Sequence, residues 1–216
     1  VVSTPGMANE ILLKIVEMFN LQIVEMLKYS VDQKSKLSIS DVIDHDEEED
    51  EDEEDEDDYD YDDTDDMDDD EMEAVLSSIQ EVQRTLFKIL KSVYFPFFQQ
   101  TFENIINLLK SDYHPLQSWA ICFLSDLVEF CPNESVQLSG IFLEIIQNLF
   151  DHKNSNVRTS TYFFCSILVE FAPLQYQTFN IFALSKIVAA ISDPESRESN
   201  NIYATANAIA LVGKMM

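Results

Sequence analysis

Apolar residues return at every third or fourth position through most of this chain. Ile11, Leu12, Ile15, Val16, Phe19, Ile23, Val24 and Leu27 open the pattern. They predict one amphipathic helix, or two stacked end to end around Asn20. The pattern fades after Tyr29, and Ser30 to Ile43 reads as a polar linker. It resumes with Val75, Leu76, Ile79, Val82, Leu86, Ile89 and Leu90, a stripe that runs to about Ser92. Three helix pairs follow. In the first, Pro96 opens a helix with Phe98, Phe102, Ile105, Ile106 and Leu109; Pro115 opens its partner, which carries Trp119, Phe123, Leu124, Leu127 and Val128 and stops at Pro132. In the second, Ser135 is the expected N-cap of a helix with Ile141, Phe142, Ile145, Ile146 and Leu149. A polar turn, 151–156, leads to Val157, Thr161, Phe164, Cys165, Leu168 and Phe171, and Pro173 ends it. The third pair runs through Phe179, Phe182, Leu184, Ile187, Val188 and Ile191. It then crosses a loop at 192–201 to Ile202, Ala206, Ile209 and Ala210.

Two of these helix ends echo each other. Leu127-Val128-Glu129-Phe130-Cys131-Pro132 returns as Leu168-Val169-Glu170-Phe171-Ala172-Pro173, 41 residues later. A self-similar period near 40 with helical patterning on both sides predicts HEAT repeats. The expected fold is all-α: an α-solenoid of stacked antiparallel helix pairs with a disordered acidic loop. Each pair carries more apolar surface than it can bury alone, so neighbours must cover it. The expected units are 1–43 (partial repeat and linker), 44–70 (acidic loop), 71–93 (one repeat helix), 94–132, 133–173 and 174–216 (three repeats, the last truncated). A start at Val1 and a stop at Met216, just after a helical pattern, read as a fragment.

Charge changes this picture in one place. The net charge is −28, but 24 acids lie between Asp44 and Glu73 with no Lys or Arg, leaving 17 acids against 13 bases elsewhere. Such a run repels itself and has little to bury, so disorder is expected, with binding of basic proteins as a second reading. Asp60, Asp62, Thr64, Asp66, Asp68 and Glu71 match EF-hand spacing, but Asp65 stands where the turn wants Gly, so no metal site is read there. Three glycines leave no Gly-rich phosphate loop. Cys122, Cys131 and Cys165 lie in or beside apolar stripes and read as buried thiols. No Cys/His spacing suits zinc and no nucleophile–base pair is legible, so neither an enzyme nor a cofactor is expected. No apolar run reaches membrane-span length, and no basic patch points to nucleic acid.

Asp151 in an inter-helix turn and Arg158 early in the following helix suit a ladder of hydrogen bonds between successive repeats. Asp126, Glu129 and Glu170 are the acids expected on a partner-facing surface. Trp119, the single tryptophan, reads as core packing, with a partner-binding ring as the alternative.

Three stretches carry a family resemblance. Gln117 to Cys131 resembles the Q-W-x-x-C-x-x-x-D-x-x-E-x-C helix of importin-beta-3-type karyopherins, the importin-5 group. Asn156-Val157-Arg158-Thr159-Ser160-Thr161-Tyr162 resembles their E-V-R-Q-A-A-A-Y. Ala204 to Met216 resembles A-T-E-N-x-I-S-A-V-G-K-I-M, and Asn207 joins the expected ladder on that basis. An acidic tract before these repeats is also usual there. The likeness covers about residues 44–216; Ala206 in place of an acid and Ser160 in place of a small apolar residue depart from it. It implies a nuclear import receptor shuttling between cytoplasm and nucleus. The implied partners are basic cargo such as ribosomal proteins and histones, Phe-Gly nucleoporins and Ran-GTP, the last two through the full-length receptor. The rivals are a non-transport HEAT scaffold and an acidic chaperone for histones or ribosomal proteins.

Overall fold

The computed structural model describes residue 10, residues 13–30 and residues 69–216. Residues 13–30 form helix α1. The rest are α2 (Asp69–Leu90), α3 (Phe95–Leu109), α4 (His114–Phe130), α5 (Pro132–Leu149), α6 (Ser155–Phe171), α7 (Gln177–Ser192) and α8 (Ile202–Met215), with short 3-10 turns at Lys91–Val93, Pro194–Arg197 and Ser199–Asn201. The described residues are an all-helical solenoid. The acidic segment expected to be disordered falls outside them, apart from Asp69 and Asp70, which open α2.

The even-numbered helices form one continuous layer: α2 lies on α4, α4 on α6 and α6 on α8. Their contacts fix their direction. Arg84, late in α2, reaches Asp126 and Glu129, late in α4, and Lys214, late in α8, reaches Glu170, late in α6. At the other end, Arg158 in the first turn of α6 reaches Asn201, just ahead of α8. The four helices are therefore parallel. Short connections return the chain through α3, α5 and α7, which pack on the other side of this layer.

One apolar core runs through the stack. Phe123, Leu124, Leu127 and Val128 of α4 are fully buried, as are Phe164, Cys165 and Leu168 of α6. Burying a side chain of that size contributes roughly 1.5–3 kcal/mol. Val16, Ile23 and Leu27 of α1 belong to the same core as Met72, Leu76 and Ile79 of α2. α1 is a single helix, and Asn20 lies on its buried face. Its Nδ2 donates to the Phe97 carbonyl (3.0 Å) and to Gln100 Oε1 (3.2 Å), and its Oδ1 accepts from the buried Tyr94 hydroxyl (3.1 Å). Tyr94 in turn stacks edge-on against Phe87, 4.8 Å between ring centroids.

Several sequence expectations need correction. Ser135 is not an N-cap: α5 begins at Pro132, and the capping position is Cys131, with no side-chain cap. Pro132 thus opens α5 as well as closing α4, because its fixed φ suits a first helical turn. The apolar stripes are also wider than the faces actually covered. Ile15 and Phe19 of α1, Ile141 of α5, Leu184 and Val188 of α7 and Ile209 of α8 are exposed.

Candidate functional site

The expected acids lie along the layer of parallel helices. Asp126 is 1% exposed, far too buried to meet a partner. Its carboxylate accepts from Arg84 Nη1 across the α2–α4 junction, and Arg84 Nη2 continues to both oxygens of Glu129 at 3.0–3.1 Å. The guanidinium also lies over the Phe130 ring, 5.2 Å from its centroid. Burial pushes the Asp126 carboxyl up to about 6, against the pull of Arg84. At Arg84 burial works against the charge, but Asp126 and Glu129 outweigh it and raise its pKa. One cation thus bridges a buried acid and a rim acid, an arrangement that fixes helix register.

The other expected residues divide between the two ends of the layer. Glu170, 49% exposed in its side chain, accepts from Lys214 of α8 at 2.5 Å. Asp151 meets Lys186 of α7, not Arg158. Arg158 donates to the carbonyls of His152 and Lys153 and to Asn201, tying the turn before α6 to the turn before α8. Asn207 donates to the Thr159 carbonyl, 3.1 Å away on α6. Arg158 and Asn207 therefore both join α6 to α8, whereas Asp151 joins the α5–α6 turn to α7.

Trp119 is half-buried against the core and faces an open groove of about 400 Å³ between the start of α2, α4 and the start of α6. The three cysteines are free. Burial raises their thiols, Cys122 to about 11 and Cys131 to about 12, which keeps them unreactive. Among the described residues no group of three or more His, Cys, Asp or Glu is placed to hold a metal ion. No helix there is long and apolar enough to cross a membrane.

Sequence reasoning missed Arg84, the hub of the α2–α4 junction. It also missed Ser135 and Tyr176, whose hydroxyls meet at 2.6 Å inside the stack. A signal for the latter existed: the two are 41 residues apart, the period of the echo, and so occupy equivalent positions in adjacent helix pairs. The echo itself is a repeated backbone geometry. Cys131 and Ala172 end α4 and α6 with φ −134° and −139°, each donating its N–H four residues back, to Leu127 and Leu168.

Residues 6–111 match the family model for importin repeat 6. The fold is similar to that of the karyopherin Kap121p, solved in a substituted form. The TM-score is 0.63 with 19% identity, over 71% of this chain and 15% of that one. Kap121p bound to the SUMO protease Ulp1p is similar too, at TM-score 0.62 and 18% identity, over 68% of this chain and 14% of that one. The chain thus spans about 15% of the length of these solved chains. The importin-repeat match thus falls in the first half of the chain, and the fold is that of an α-solenoid similar to the karyopherin structures.

Proposed function

We propose that this chain is a segment of a nuclear import receptor of the importin-5 group, which carries basic proteins from cytoplasm to nucleus. The observation that carries this reading is the importin repeat at residues 6–111, in a stack with the karyopherin solenoid fold. In this reading α1 and α2 are the two helices of one repeat with residues 31–68 between them, and α3–α4, α5–α6 and α7–α8 are the next three. Arg158 and Asn207 hold successive repeats in register. Asp126 serves the α2–α4 junction, and Glu129, Glu170 and Trp119 remain for a partner. The activity is binding; no residue is assigned a catalytic step. Passage through Phe-Gly nucleoporins and release by Ran-GTP belong to the full receptor.

Pull-down of the full-length receptor with Ran-GTP and with Phe-Gly repeats tests the transport reading. Capture by both is expected, and binding to neither leaves a non-transport scaffold. The acidic segment 44–70 favours a second reading, a chaperone for histones or ribosomal proteins. Deleting that segment without loss of affinity for a basic protein would remove it.

A further inference from the structure

Two histidines meet where α4 and α6 begin. His114 is the first residue of α4, and His152 stands two residues ahead of Asn154, the N-cap of α6. Their rings meet edge to face, with centroids 5.0 Å apart. His152 is half-buried and is wired into its own turn. Its Nδ1 accepts the Asn154 N–H at 3.1 Å, which only an unprotonated nitrogen can do. Asn154 Oδ1 in turn accepts the Asn156 N–H at 2.9 Å and so caps α6. The His152 carbonyl accepts from Arg158, whose other amino nitrogen reaches Asn201 ahead of α8. A neutral imidazole therefore underlies both the cap of α6 and its tie to α8.

A proton on His152 works against every part of this arrangement. It turns Nδ1 from an acceptor into a donor aimed at the Asn154 N–H. It also sets a cation at the positive end of the α6 dipole, beside the Arg158 guanidinium and the His114 ring. The turn itself adds the charge of Lys153. The acids lining the same cleft offer little in return. Asp151 is ion-paired with Lys186 of α7, Asp193 accepts the Glu195 N–H, and Glu195 is open to solvent. Burial already holds the His152 ring below its ordinary 6.5, and His114 and Arg158 add to that. We propose that the His114–His152 contact is a proton-sensitive latch in the stack. At neutral pH it keeps the α6 cap and the α6–α8 tie closed. Mild acid opens both and loosens the last helix pair.

Hydrogen exchange of the full chain, at a series of pH values from 7.5 to 5.5, tests the latch. Protection factors remove the intrinsic pH dependence of exchange. In the first turn of α6 and at 199–204 they are expected to fall about twofold to fivefold on acidification, the effect of one charge against a helix N-terminus. His152→Asn keeps an acceptor for the N–H two residues on but takes no proton, so protection there should hold throughout. Asp126, whose carboxyl sits at about 6, titrates in the same range at the α2–α4 junction. It is common to both proteins and drops out of their difference. The histidine C2–H resonances, followed by NMR over the same range, give a reading independent of that variant. The His152 midpoint should coincide with the loss of protection, and should move up in His114→Phe, which keeps a ring without a charge. Protection in the native chain that does not change with pH overturns the latch, as does an equal fall in His152→Asn. If His152→Asn has already lost protection at pH 7.5, the NMR titration decides, and a midpoint away from the loss of protection overturns it. A His152 midpoint unmoved by His114→Phe overturns the part played by the ring contact.

Discussion

Replacing Arg84 with methionine leaves a buried carboxylate without its cation, and the cost should depend on pH. Asp126 is 1% exposed, and its carboxyl sits at about 6 with Arg84 in place, above the ordinary 3.8. Removing one partner of a buried pair costs ~3–5 kcal/mol. Arg84 is itself 47% exposed, so water can partly replace it, which brings the loss down to or just below the bottom of that range, ~2–3 kcal/mol at pH 8. The sign follows from the direction of the shift. A carboxyl whose folded pKa is raised contributes most stability below its unfolded value and loses that contribution as pH rises through the folded value. The shift from 3.8 to about 6 corresponds to ~3 kcal/mol across that window. Without Arg84 the folded pKa rises further, so protonation rescues the variant at higher pH than it helps the native chain. Urea unfolding of both proteins at pH 5 and pH 8 reads the difference. The penalty should be large at pH 8 and should shrink by more than half at pH 5. The double variant Arg84→Met/Asp126→Asn should recover most of it at pH 8. An equal penalty at both pH values would show that Arg84 acts by packing on Phe130, not through the buried charge.

Three further outcomes are expected. Tyr94→Phe strands the buried Asn20 Oδ1 and should cost ~1–3 kcal/mol by urea unfolding, with hydrogen exchange rising first in α1. Lys91 has φ 49°, a left-handed backbone conformation, so Lys91→Gly should raise stability by ~0.5–1 kcal/mol and Lys91→Val should lower it, read as shifts in Tm. Ser135→Ala removes the partner of the Tyr176 hydroxyl and should cost ~1–2 kcal/mol. Burial already holds Tyr176 up at about 12, so a spectrophotometric titration of this tyrosine should move higher still once Ser135 is gone.

The solenoid was legible because helix ends are local. Leu127–Pro132 and Leu168–Pro173 repeat a backbone geometry along with a set of letters, and such geometry is written within a few residues. The fate of each acid was not legible, since it depends on what a neighbouring helix offers about 42–45 residues away. Asp126, Glu129 and Glu170 read alike in sequence, yet Arg84 buries the first and clamps the second, and Lys214 reaches the third in the open. Ser135 misled because a serine ahead of an apolar stripe looks like a cap. Pro132, three residues earlier, had already set the helical φ, leaving the hydroxyl free to turn inward to Tyr176. Trp119 was read as core packing with a partner-binding ring as the alternative; it is half-buried against the core and lines an open groove.

The hydroxyl contact between Ser135 and Tyr176 joins equivalent places in consecutive units, and this has a consequence for how the stack comes apart. In a quasi-one-dimensional array each unit is held only by its neighbours, so cooperativity travels through junctions and nowhere else. Arg84–Asp126 lies at one such junction, and Ser135–Tyr176, Arg158–Asn201 and Asn207–Thr159 together span another, between α5–α6 and α7–α8. Cutting one should do more than lower total stability. It should divide a single melting transition into two, with blocks on either side of the cut that unfold at their own temperatures.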